Sequence, residues 1–312
     1  MRVLVTGGAG FIGSHLTSAF LARGDEVMVV DDLTTGRPGR LDERAVLHKL
    51  SIADAASLIA LVQQTRPELI CHLAAQIDVR VSVAAPAQDA QVNVVGTIKV
   101  LEAARSVDAR LLFASSGGAI YGRNAPVPSS EDVLPLPESP YGIAKYCAEQ
   151  YIGLYNRLHG TRHSIIRLAN VYGPRQDPGG DAGVIPIFCA AALSGAAPAI
   201  YGDGTQTRDY VYVGDTVRAF IAAADDERPG TWNIGTGAEI SVIDLVQVIA
   251  AAAGRPVHPE FAPPRAGELQ RSALAVSRAA RDLGWTAETA LADGVSKVCH
   301  WLEAGAPDRA AC

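Results

Sequence analysis

Short runs of valine, isoleucine and leucine alternate with helix-period segments through the first two-thirds of the chain. RVLVT at 2–6 precedes a helix predicted over Phe11–Ala22, and EVMVV at 26–30 precedes one near 54–64. The alternation continues with ELICHLA at 68–74, a helix from about Val92 to Arg105, ARLLFASS at 109–116, a helix from about Tyr141 to His159, and HSIIRLA at 163–169. Strands without polar alternation belong to a parallel sheet covered on both faces. The expected fold class is therefore α/β, a doubly wound parallel sheet of the Rossmann type. After Asn170 the rhythm breaks into YGPRQDPGGDAG at 172–183 and YGDGTQTRDY at 201–210, with a helix near 184–194, a strand TWNIG at 231–235 and two late helices. RDYVYVGDTVRAFIAAA at 208–224 again reads as strand then helix, so the expected division interleaves. Residues 1–168 with about 210–236 form the larger unit; about 169–209 with 237–312 form a smaller C-terminal α/β unit.

Composition narrows the class. The 312 residues are 48% hydrophobic and 19% charged, enough for a large core, and the net charge of −6 with scattered Lys and Arg offers no face to nucleic acid. No apolar run approaches the roughly 20 residues of a membrane span, and a strand begins at once, so a cytoplasmic protein without membrane partners is expected. Five cysteines at 71, 147, 189, 299 and 312 lack CxxC or Cys/His pairing, and the seven histidines lack HxH or HExxH spacing. Neither a disulfide framework nor a metal is expected. His72, ending a buried-looking strand, reads as structural.

VLVTGGAGFIGSHL at 3–16 places glycines where a strand hands over to a helix. A diphosphate reaching that point needs backbone N–H groups and the positive helix end, and a Cβ on the turn would hold it away. Gly7 makes the turn, Gly10 admits the diphosphate and Gly13 lets helix pack on strand. Alone, a glycine-rich turn needs no ligand; here Asp31 and Asp32 close the second strand, completing a dinucleotide fingerprint. An Asp31 carboxylate would accept from the adenosine ribose hydroxyls and repel a 2′-phosphate, favouring NAD, while Arg37 and Arg40 keep NADP open. SPYGIAKYCAEQY at 139–151 puts Tyr141 and Lys145 one helical turn apart behind a Ser-Pro start. An ammonium and a cationic nicotinamide both favour a phenolate, which makes Tyr141 the expected catalytic base.

From Val3 to about Trp285 the chain resembles the extended short-chain dehydrogenase/reductase family, most closely its UDP-glucose 4-epimerase branch. The resemblance rests on TGGAGFIGSHL, VDDLTTG, HLAAQIDVRVSV, NVVGT, SSGGAIYG, SPYGIAKYCAEQY, RLANVYGPRQDP, GVIPIF, YGDGTQTRDYVYV, NIGTG and PRAGE. It implies a Rossmann domain holding NAD, a smaller nucleotide-sugar domain, and a homodimer joined through a bundle that includes the Tyr141 helix. To the cofactor set of Gly7, Gly10, Gly13, Asp31, Tyr141 and Lys145 it adds Phe11, Ile12, Asp32, Leu33, Ile52, Leu73, Ala74 and Ala75. The family's third strand-end hydroxyl is Gly117 here, which leaves Ser116 or Ser115 to meet the sugar 4-oxygen. Ser51-Ile52 replaces an Asp-Ile or Asp-Leu adenine contact, so that contact is weaker or made by backbone.

The resemblance also bears on the reaction. Gly118 and Ala119 stand where related 4,6-dehydratases carry an Asp-Glu pair, and neither moves a proton. What remains is oxidation and reduction at one carbon: Tyr141 takes the O4 proton, a 4-keto sugar rotates about its diphosphate, and the opposite face is reduced. Arg208 and Arg265 would clamp the diphosphate, and Asn170, Val184 and Ile185 would touch diphosphate or uracil. Tyr201 would flank the base and Glu268 reach the uridine ribose. Asp177, near the sugar, disfavours a glucuronate carboxylate. The reading is an NAD-dependent UDP-hexose 4-epimerase. Its rivals are an epimerase or related enzyme for UDP-glucuronate or UDP-N-acetylhexosamine, and an idle NAD-binding scaffold.

Overall fold

Residues 1–179, 183–264 and 269–306 are described by a computed structural model. Seven parallel strands, β1 (Arg2–Thr6), β2 (Glu26–Asp31), β3 (Val46–Lys49), β4 (Leu69–His72), β5 (Arg110–Ser116), β6 (Ser164–Leu168) and β7 (Thr231–Ile234), form one sheet in the order β7-β6-β5-β4-β1-β2-β3. The winding reverses between β1 and β4, which opens a crevice beyond their carboxyl ends. Val3 and Val5 face one core with Leu16, Phe20, Phe220 and Trp232, while Leu4 faces another with Leu58, Val62, Leu101 and Ile152. Both faces of β1 are thus buried, which is why it reads as an unbroken apolar run.

The helix Phe11–Ala22 lies where the sequence puts it, and Val213–Asp225 packs beside it on the same side of the sheet. The helix Pro140–His159 is bounded by local chemistry: Ser139 Oγ accepts from Gly142 N at 3.1 Å, Pro140 opens the first turn, and Gly160 at φ 66° ends it. A third core, with Tyr172, Ile185, Phe188, Leu245, Ile249, Val295 and Val298, lies where Val184–Ser194, Val242–Ala253 and Leu291–Glu303 pack together.

Several elements depart from the sequence expectation. Strand β3 was not expected, because an edge strand with exposed Val46 and Lys49 carries no apolar run. The segment DVRVSVAAPAQDA, to which no element was assigned, forms the helices Val79–Ala84 and Pro86–Ala90, the first capped by Asp78 accepting from Arg80 N at 2.7 Å. The helix expected from Val92 begins with a π-helical segment, Gln91–Val95, before Gly96–Arg105. Among the described residues three late helices, not two, follow β7: Val242–Ala253, Ser277–Leu283 and Leu291–Glu303. No helix among the described residues is long and apolar enough to cross a membrane.

A Cβ at Gly13 would lie 2.1 Å from Gly7 O and 2.8 Å from Gly8 Cα, against the backbone of the turn. Gly13→Ala is expected to lower unfolding free energy by about 1–3 kcal/mol. Denaturant unfolding of the two proteins checks this.

Candidate functional site

The crevice at the head of β1 is shaped by missing side chains. Gly7 has φ 71°, and a Cβ there would sit 2.7 Å from Ala74 N on the segment leaving β4. Only a glycine joins the left-handed turn to this close approach. Gly10 caps Phe11–Ala22 without a side-chain bond, no acid stands in the first turn, and a Cβ at Gly10 would meet only Gly7 O at 3.1 Å. The N–H groups of the first turn therefore face a crevice that a glycine keeps open, the surroundings a dinucleotide diphosphate needs. Phe11, Ile12, Leu73, Ala74 and Ala75 are half-buried about it.

Asp31 is buried at the end of β2, where Oδ2 accepts from Ala9 N at 3.0 Å and Oδ1 from Leu33 N at 2.9 Å. Burial pushes its proton affinity up, and the two N–H bonds oppose this. Each oxygen retains acceptor capacity for a ribose hydroxyl. Asp32 is exposed and accepts from Thr34 N at 3.0 Å, so its carboxylate orders the loop that Leu33, at φ 63°, carries away. Arg37 pairs with Asp177 across the loops, and Arg40 is buried. The Ile52 side chain is buried against Gly96 within the core, which leaves its backbone for an adenine.

Tyr141 and Lys145 come together under the end of β5. The Lys145 ammonium donates to Ala114 O at 2.9 Å, 4.8 Å over the Phe113 ring and 5.9 Å over the Tyr141 ring, and the Ser116 side chain acts on the Tyr141 phenol. Burial pushes the Tyr141 phenol up to about 12, the Ser116 hydrogen bond pulls it down, and the Asp89 charge pushes it further up. The chain by itself thus holds a neutral phenol, and the expected phenolate calls for the charge of a bound nicotinamide as well as that of Lys145. Burial lowers Lys145 to about 8, against the pull of Asp89 and Glu149.

Of the two strand-end serines, the structure brings only Ser116 to Tyr141. Ser115 Oγ donates to Glu149 Oε1 at 2.5 Å, buried beneath the sheet end, which corrects its assignment to substrate. Glu149 also takes Arg167 Nε at 3.0 Å and Nη2 at 2.6 Å, and Arg167 Nη1 donates to Tyr121 Oη at 2.9 Å. At Gly117, a Cβ would lie 2.6 Å from Leu274 Cδ1, so the place of the missing hydroxyl is filled by leucine. His72 is neutral, pushed down to about 3 by burial and fixed between Thr6 at 2.7 Å and Thr97 at 3.1 Å.

On the far side, Asn170 Oδ1 lies 3.4 Å from the position of a Gly118 Cβ. Tyr201 lines a cavity of 590 Å³ with Gly202, Gln206, Phe261, Pro264 and Gln270. Ile185 turns its side chain into the third core and Val184 packs at its edge, leaving backbone for a ligand. Arg208 is half-buried and donates to Thr207 O at 2.7 Å. Its neighbour Asp209, which sequence reasoning missed, accepts from Thr236 N at 2.8 Å, Gly237 N at 3.0 Å and Leu274 N at 3.2 Å, tying three loops together. Arg265 and Glu268 lie outside the described residues. Among the described residues no group of three or more His, Cys, Asp or Glu is placed to hold a metal, and Cys71, Cys147, Cys189 and Cys299 are free thiols.

Residues 3–235 match the NAD dependent epimerase/dehydratase family. The chain belongs to that family. It is 47% identical over 308 residues to the UDP-glucose 4-epimerase of Mycolicibacterium smegmatis, covering 97% of this chain and 98% of that protein. The structure is similar to Thermotoga maritima UDP-glucose 4-epimerase with UDP-glucose, at a TM-score of 0.96 and 40% identity over 98% of this chain and 99% of that one. It is also similar to the Thermus thermophilus UDP-glucose 4-epimerase complex with NAD, at a TM-score of 0.92 and 38% identity over 97% and 99%. Within this member of the NAD dependent epimerase/dehydratase family, Glu149 and Arg167 were absent from the sequence-based site. The one available signal was that Glu149 stands four residues past Lys145 on the same helix face.

Arg167 and Glu149 are both buried, with side-chain exposures of 8% and 2%. Arg167→Met leaves Glu149 without its cation and is expected to cost about 3–5 kcal/mol. Urea denaturation measures it.

Proposed function

We propose that this protein is an NAD-dependent 4-epimerase of a UDP-hexose, interconverting UDP-glucose and UDP-galactose through a 4-keto sugar. The observation that carries the reading is the buried Lys145 ammonium 5.9 Å over the Tyr141 ring, with Ser116 acting on the phenol, under the end of β5. The names of the similar proteins support the glucose series.

NAD, when bound, supplies the acceptor and donor of the hydrogen exchanged at the sugar C4. Gly7, Gly10 and Gly13 would admit its diphosphate, Asp31 its adenosine ribose, and Phe11, Ile12, Leu33, Leu73, Ala74 and Ala75 would line its bed. Lys145 would hold the nicotinamide ribose and keep positive charge beside Tyr141. Tyr141, in its phenolate form, receives the O4 proton and returns it to the same oxygen, so the phenolate is restored in each turnover. Ser116 donates to the 4-oxygen as its charge changes. Arg208 and Arg265 hold the diphosphate while the sugar turns, with Asn170 and the Val184-Ile185 backbone beside it, Tyr201 along the base and Glu268 at the uridine ribose.

In this reading residues 1–168 with about 210–236 bind NAD, and about 169–209 with 237–312 bind the nucleotide sugar. The seven-stranded sheet and the separate third core support the division. Pro140–His159 leaves Ile143, Leu154 and Leu158 exposed along one side, which favours a homodimer through this helix. The free thiols fit a reducing, cytoplasmic setting.

With UDP-glucose or UDP-galactose, the purified protein is expected to yield the 4-epimer. Tyr141→Phe is expected to lower kcat by about 10²–10⁴-fold while retaining NAD through gel filtration. Turnover of Tyr141→Phe equal to wild type would sink the reading. NAD binding without any turnover, across a panel of UDP-sugars, would favour an idle scaffold.

A further inference from the structure

Two buried acids act electrostatically on Lys145, and their circumstances differ. Glu149 is answered by Arg167 through three hydrogen bonds, at 3.0, 3.2 and 2.6 Å, so the pair adds little net charge. Asp89 has no such answer. It is 1% exposed, Oδ1 accepts from the neutral amides Gln76 Nε2 at 2.8 Å and Asn93 Nδ2 at 3.0 Å, and Oδ2 is buried without a hydrogen-bond partner. Leaving a carboxylate in this state is costly unless a cation shares the pocket.

The backbone brings that cation near. Pro86–Ala90 packs against Pro140–His159, and the π-helical segment Gln91–Val95 presents Asn93 to both Asp89 and Gln76. Lys145, 4% exposed, is the charge that acts on Asp89, and Asp89 in turn is the leading charge opposing the desolvation of Lys145. The other titratable groups about Lys145 do not replace it. Tyr141 is a neutral phenol, His72 on β4 is neutral, and Glu149 is committed to Arg167. On the neighbouring helices, Arg80 pairs with Asp78 and Arg105 with Glu102.

We propose that the Asp89 carboxylate is the buried countercharge of Lys145, a positioning residue that keeps the ammonium charged beside Tyr141 and so sets the alkaline limit of catalysis. The assignment rests on the roles proposed above for Tyr141 and Lys145. Removing an anion weakens proton binding at every neighbour, so losing Asp89 moves both Lys145 and Tyr141 toward ionisation changes at lower pH.

The test compares NAD-loaded wild type with Asp89→Asn, which keeps the side-chain shape, and Asp89→Glu, which keeps the charge. In Asp89→Asn the alkaline limb of kcat/KM is expected to fall by about one pH unit. The Tyr141 phenolate, read by ultraviolet difference absorbance against Tyr141→Phe in each background, is expected to move the same way, and Asp89→Glu to return both toward wild type. Unmoved midpoints in Asp89→Asn overturn the proposal, whatever becomes of kcat. If Asp89→Asn does not fold, Asp89→Ser is read by the same criteria. A shifted phenolate midpoint in a protein that epimerises nothing would keep the charge assignment and remove the functional reading instead.

Discussion

Placing an ammonium in a nearly dry pocket lowers its proton affinity, and the arrangement around Lys145 reads as a response to that cost. Its Nζ is met by the Ala114 carbonyl and the Phe113 ring, both fixed by β5, which is itself central in the sheet. The helix that carries Lys145 is held from below by Glu149, whose bonds to Ser115 and Arg167 join it to β5 and β6. Tyr141, one turn earlier, therefore has a defined height above the strand ends. Moving the helix by one residue would remove Lys145 from Ala114 and Glu149 from Arg167 together.

The same economy of contacts governs the cofactor side. Gly7 and Gly13 bring backbone so close that added carbons would overlap backbone atoms of the turn or of the segment after β4. The first helix can then point its open N–H groups at the reversal of the winding, where β1 and β4 leave a crevice. The sheet thus fixes both the crevice and the base, and Arg208 stands next to the multiply bonded Asp209.

Much of this was legible in the sequence because it depends on local rules. Strands buried on both faces lose polar alternation, a glycine fingerprint needs its strand and helix in order, and Tyr141 and Lys145 share a face by spacing alone. What escaped depends on contacts between distant segments. Nothing local ties Asp89 to Lys145, or Leu274 to the vacancy at Gly117. Ser115 and Ser116 are adjacent and chemically identical, and only Glu149, 34 positions from Ser115, separates their roles. The helix over 79–84 was not foreseen, because its start depends on the Asp78 cap.

The central claim is that Tyr141 and a bound nicotinamide address one sugar carbon while Ser116, not Ser115, meets its oxygen. A crystal structure with NAD and a UDP-hexose tests it most directly. The account predicts Tyr141 Oη and Ser116 Oγ both within hydrogen-bond reach of the sugar 4-oxygen, about 2.6–3.2 Å. A sugar whose 4-oxygen lies away from Tyr141, or a nicotinamide excluded from the crevice between β1 and β4, would contradict it.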